Sequence, residues 1–178
     1  MKKFLLIFIC CAVLGCYSVD VKKENPKKLN LAKYKTIQLG WIDFPAGLWK
    51  QFRFNNQGEW QKAIYQLNAG DLKKYFTRAL PGSKKILGPT RGNPMRGDLL
   101  IKFDYLSYEA NFVTGQTAPD RLNLRVEMYD VKRGRKIYSA LLGLDSYRPG
   151  PGDWSVYRLE GRIAMEIRNL ADFIGDKF

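Results

Sequence analysis

Apolar positions along the chain follow two periods. The segment "YKTIQLGWIDF", starting at Tyr34, places Ile37, Leu39 and Trp41 on one face at every second residue, which predicts a strand. The same alternation returns in the second half of the chain. "DLLIKFDYLSYEANF" sets Leu99, Ile101, Phe103 and Tyr105 on one face, and "RLNLRVEMYDV" sets Leu122, Leu124, Val126 and Met128. "KIYSALLGLDSY" reads as the returning strand. Turn residues separate these runs, "GQTAPD" between the first two and "KRGR" before the third, so they predict an antiparallel meander. "SKKILG" reads as a further short strand.

Two other segments carry the helical period. Trp60, Ile64, Leu67, Leu72, Phe76 and Ala79 trace one stripe. Asn56 followed by Glu59 has the spacing of a capping box at its start, Gly70 weakens its middle, and Pro81-Gly82 ends it. Val156, Leu159, Ile163, Ile167, Leu170 and Ile174 form a second amphipathic helix, running to about Gly175. Residues 45–58 read as a connection rich in aromatics, and residues 88–97 and "RPGPGDW" read as loops. The order is β-α-(β)-β-β-β-α. Every strand face and helix stripe needs a partner, so the expected fold is α+β: a two-layer sandwich with a mainly antiparallel sheet and two helices on one face, in a single domain over residues 33–178.

The N-terminus does not belong to that fold. Met1-Lys2-Lys3 leads into an apolar run, Phe4 to Gly15, with the charged, apolar and small-residue regions of a signal peptide. The run is short of the roughly 20 residues that span a bilayer. Its end, Val13-Leu14-Gly15-Cys16, resembles the lipobox of bacterial lipoproteins. That resemblance implies cleavage before Cys16 and a diacylglycerol on its thiol. It also implies loss of residues 1–15 and retention in the outer membrane, since Tyr17 stands where an aspartate would signal inner-membrane retention. Residues 16–32 are then the lipidated N-terminus and a flexible tether, rich in lysine and interrupted by Pro26.

Composition narrows the chemistry. All three cysteines lie between residues 10 and 16, so a mature domain starting at Cys16 has no internal disulfide and stands on apolar packing. The chain has no histidine, which excludes Ser-His and Cys-His catalysis and His-ligated zinc or iron sites. The glycine-rich segments lack the spacing of phosphate loops, and Asp43, Asp104 and Glu109 stand apart from one another. The reading is therefore of a protein that is not an enzyme, with no cofactor and no metal. The net charge is +13, of which Lys2 and Lys3 leave with the leader. A strongly basic surface favours an anionic partner, and a signal peptide favours anionic lipid or glycan over nucleic acid.

Two clusters are candidates for contact. Lys132, Arg133, Arg135 and Lys136 surround Gly134 at a hairpin tip, where guanidinium forks can hold oxyanions; the competing reading is a solvated turn with Gly134 at positive φ. Trp41, Phe44, Trp49, Phe52, Phe54 and Trp60 crowd residues 41–60. Trp49, Phe52 and Phe54 are candidate contacts for an apolar partner or lipid, or else the rings close one end of the core.

The stretch "GDLLIKFDYLSYE…LNLRVEMYDVKRGRKIYSALL…RIAMEIRNLADFI" resembles small periplasmic lipoproteins with an α/β-sandwich domain, such as lipopolysaccharide-assembly and transport-auxiliary lipoproteins. Asp130 and Gly134 match their turn positions, and the likeness spans residues 97–175. It implies a membrane-anchored, non-enzymatic binding or assembly module of the bacterial cell envelope, with an envelope protein as partner. The alternative is a surface-exposed adhesin or ligand binder recognising anionic glycan or lipopolysaccharide.

Overall fold

An alternating strand and an amphipathic helix are each apolar on one side only, and the chain resolves this by laying a helical layer on one face of a single sheet. The computed structural model describes residues 19–51, 54–92, 94–111, 119–146 and 159–178, with backbone alone over 159–162. Its strands are β1 (Val19–Asn25), β2 (Thr36–Gly40), β3 (Lys85–Thr90), β4 (Leu99–Glu109), β5 (Arg121–Asp130) and β6 (Arg135–Asp145). They form one six-stranded sheet in the order β1-β6-β5-β4-β2-β3. The predicted meander is β4-β5-β6, antiparallel throughout. β2 runs parallel to both its neighbours, β3 and β4, so the sheet is mixed and mostly antiparallel.

Helices α1 (Leu48–Gln51), α2 (Gln57–Gln66) and α3 (Lys73–Ala79) lie between β2 and β3, and α4 (Leu159–Gly175) ends the chain. This is the crossover that two parallel strands require. The Asn56 side chain accepts the Glu59 N–H at 3.0 Å, as the capping-box spacing predicts, while the Glu59 carboxylate reaches back to Asn55. A π-helical segment, Leu67–Leu72, joins α2 to α3. The apolar stripe steps by five residues there, from Leu67 to Leu72, where an α-helix steps by three or four.

Inward residues of both layers make one core. Leu122, Leu124, Val126 and Met128 of β5 face Leu144, Leu142, Ala140 and Tyr138 of β6, and all are buried. From the other layer come Leu72 and Phe76, and Ile163, Ile167, Leu170 and Ile174 of α4. The register of β4 slips between Tyr105 and Ser107, which inverts the alternation: Leu106 is exposed and Tyr108 turns inward.

The tether expected over residues 16–32 is corrected in part. Val19–Asn25 is an edge strand paired with β6 from Val19↔Leu144 to Asn25↔Ser139. Backbone pairing outweighs its polar composition. The inward Glu24 is satisfied by the Tyr138 hydroxyl at 2.9 Å and Lys177 Nζ at 2.6 Å, and Lys22 donates to Asn123 Oδ1 at 2.8 Å. Both edges are blunted against further pairing, β1 by its bulge and lysines and β3 by Pro89.

Candidate functional site

Strand directions sort the functional side chains to two ends of the sheet. β2, β3, β4 and β6 finish at the end where β1 and β5 begin. The opposite end holds the beginnings of β2, β3 and β4 and the β5–β6 turn. At a rise of about 3.3 Å per residue, β6 alone separates the two ends by roughly 35 Å.

The first end is aromatic. Trp41, Asp43 and Phe44 leave β2 there, Arg91 leaves β3, and α2 brings Trp60, Ile64 and Tyr65 over them. Together with Ala46, Gln61 and Lys62 they line a pocket of about 580 Å³. The ring of Trp41 packs against Tyr65 with centroids 5.7 Å apart, and the Arg91 guanidinium lies 5.0 Å from the Trp41 ring centre. Phe44 and Phe54 both meet the buried Trp60 edge-on. The buried Asn68 fixes this geometry: its Oδ1 accepts the Ile42 N–H at 2.8 Å, and its Nδ2 donates to the Ile42 and Ile64 carbonyls at 3.1 Å. The π-helical segment carries this amide, so the irregularity in the helix binds it to the chain leaving β2.

The second end is basic. Lys132, Arg133, Arg135 and Lys136 are exposed around the β5–β6 turn, and Gly134 sits there at φ 60°, where a side chain would be strained. Lys33, Tyr34 and Lys35 approach from the start of β2. Lys33, Lys35, Lys132 and Arg133 rim a basin of about 380 Å³ over Tyr34, Asp98 and Asp130. Both carboxylates serve the backbone. Asp98 Oδ2 accepts the Lys35 and Thr36 N–H groups at 3.0 and 2.9 Å. Asp130 accepts the Arg133 N–H at 3.0 Å and the Tyr34 hydroxyl at 2.9 Å.

Burial, then the bond to Asp130, pushes the Tyr34 hydroxyl up to about 12. Desolvation would raise Asp130, but the Arg133 N–H, the Tyr34 hydroxyl and nearby cations hold it below the usual carboxylate range. Lys136 is held by Glu127 at 2.9 Å.

No protein-family model and no curated protein matches the chain. Among solved structures it is similar to the PelC dodecamer from Paraburkholderia phytofirmans in two crystal forms. Identities are 14% and 10%, with TM-scores of 0.45 and 0.44, over 87% of this chain and 98% and 96% of that one. It is also similar to a DUF330 protein from Xanthomonas campestris, at 10% identity and a TM-score of 0.43, over 83% of this chain and 88% of that one.

Of the site residues expected from sequence, the four hairpin cations stand together and open to solvent. Trp49 and Phe54 are half-buried and packed on the core. Cys16 and Phe52 lie outside the described residues. Sequence reasoning missed Asn68, Arg91 and the pair Lys33 and Lys35. A polar residue beside an apolar stripe was the available sign for Asn68. The lysines flanking Tyr34 were visible as charges, but their convergence on Lys132 follows from sheet order alone.

Proposed function

We propose that this protein is a lipoprotein anchored through Cys16 that acts as a non-enzymatic binding or assembly module of the bacterial cell envelope. The observation that carries the proposal is the closeness of the lipobox-like Cys16 to the fold. Tyr17 and Ser18 alone separate it from Val19, the first residue of β1. A diacylated thiol at that position holds the sheet close to the bilayer by its aromatic end. One acyl chain gives marginal, reversible attachment at about 0.8 kcal/mol per buried CH₂, and a second chain makes it lasting.

The two ends support binding over turnover. The aromatic pocket has an apolar floor and a rim carrying Asp43, Lys62 and Arg91, the form of a recognition cleft. At the basic end both basin carboxylates are engaged with backbone N–H groups, so neither is placed as a general base. Cys16→Ser tests the anchor. The expected result is loss of fatty-acid labelling and release from the membrane fraction, with the domain still folded. A Cys16→Ser protein that remains labelled and membrane-bound contradicts it.

A further inference from the structure

We infer that the basic end of the sheet is a docking surface for a linear acidic polysaccharide, presented away from the membrane that holds Cys16. The direction deepens the anchor reading above and rests on it; the binding does not.

The cations belong to successive strand ends. Lys85 opens β3, Lys35 precedes β2, Arg96 precedes β4, and Lys132 and Arg135 flank the β5–β6 turn. In sheet order they form a row across neighbouring strands spaced about 4.8 Å apart, roughly 19 Å from β3 to β6. All five are exposed. None of the hydrogen bonds or ion pairs among the described residues engages the side chains of Lys35, Lys85, Arg96, Lys132 or Arg135, whereas Arg133 leans on Asp130 and Lys136 on Glu127.

Nearby acids are already occupied. Asp98 and Asp130 bind backbone N–H groups, and Glu24 is bonded to Lys177 and Tyr138. Glu127 is bonded to Lys136 and to the Tyr129 hydroxyl. Like charges lined up without counter-charges repel one another, and an extended polyanion relieves that repulsion at several points together. A pyranose ring advances its chain by about one strand spacing, so successive acidic sugars match successive strand ends. A single small anion would fill only the basin at Lys33, Lys35, Lys132 and Arg133.

β1 gives the direction. Val19, three residues after Cys16, pairs with Leu144 at the far end of β6 from Arg135. Headgroups of the anchoring bilayer are therefore on the wrong side for this surface.

The test uses the full chain carrying Cys16→Ser, which has no thiol to lipidate, in detergent-free buffer, titrated with heparin as the acidic polysaccharide, with inorganic phosphate, and with vesicles of anionic phospholipid. Expected is heparin binding that weakens steeply between 50 and 200 mM salt, by roughly tenfold or more for several contacts. Phosphate and vesicles should bind far more weakly. The variant Lys35→Gln/Lys85→Gln/Lys132→Gln/Arg135→Gln should lose about tenfold or more of heparin affinity and flatten the salt dependence. A control removing as many exposed cations elsewhere, Lys23→Gln/Lys50→Gln/Lys73→Gln/Lys74→Gln, should bind as the parent does. Equal loss in both variants, vesicle binding as tight as heparin binding, or no heparin binding at 50 mM salt overturns the proposal. Fatty-acid labelling of the chain that keeps Cys16 reports the anchor separately, so failure of one reading is distinct from failure of the other.

Discussion

The two ends of the sheet are built from the same strands and differ in nearly every other respect. At the aromatic end, rings close over one another and a buried amide fixes the chain leaving β2. At the basic end the charges stand apart in solvent, and the carboxylates beneath them hold backbone in place. One end contributes to stability through packing and the other contributes little. A charged surface that costs mutual repulsion and adds little to the fold suits the acidic ligand proposed above.

This contrast can be broken first at Trp60. The side chain is 2% exposed and meets both Phe44 and Phe54. Trp60→Ala should cost about 3–5 kcal/mol in denaturant unfolding. At temperatures where the variant is folded, its anion binding should be unchanged. Loss of binding by the folded variant would couple the two ends and collapse the distinction.

Asn68→Ala is the next largest. It leaves the Ile42 N–H and C=O without their side-chain partner, at a cost of about 1–3 kcal/mol. Hydrogen exchange should quicken at Ile42 and its neighbours, with the β5–β6 turn unaffected. An unchanged midpoint would remove Asn68 as the clamp.

The smallest effect belongs to the basic half and to acid. Glu24 and Glu127 are each raised by burial, but Glu24 is lowered more by Lys177 and Tyr138, and Glu127 by Tyr129 and Lys136. A carboxylate with a depressed folded-state pKa stabilises the fold above its unfolded value, and that stability is lost as pH falls through the folded value. Unfolding midpoints should therefore be flat near neutrality and fall below about pH 4.5, the ordinary glutamate value. Glu24→Gln should diminish the fall. A midpoint independent of pH from 7 to 3 would show that these bonds contribute nothing.

How much was legible in the sequence divides along the same line. Strict alternation in "RLNLRVEMYDV" and the stripe from Ile163 to Ile174 gave the meander and the last helix, because burial on one face writes a period into the residues. Strand β1 was hidden by its lysines. An edge strand buries little, and its hydrogen bonds leave no trace in composition. The parallel placement of β2 between β3 and β4 was hidden for another reason: strand order is a property of the sheet, and no single segment records it. The site shared that fate. "KRGRK" was visible as charge, while the row it joins with Lys35, Lys85 and Arg96 exists only once strand ends are aligned. The five-residue step from Leu67 to Leu72 was present in the sequence as the mark of the π-helical segment, yet Gly70 alone reads as a simple weak point.

An anchor at Cys16 and a basic turn at the far end of β6 from Val19 predict a basic pole that points away from the membrane. This orientation is tested most directly by depth-dependent quenching in vesicles carrying the lipidated protein. A fluorescent label on Asp20→Cys, at the start of β1, is compared with one on Arg135→Cys, at the far turn. Nitroxide placed on lipid headgroups should quench the Asp20→Cys label strongly and leave the Arg135→Cys label bright. Equal quenching of both, or stronger quenching at Arg135→Cys, contradicts it.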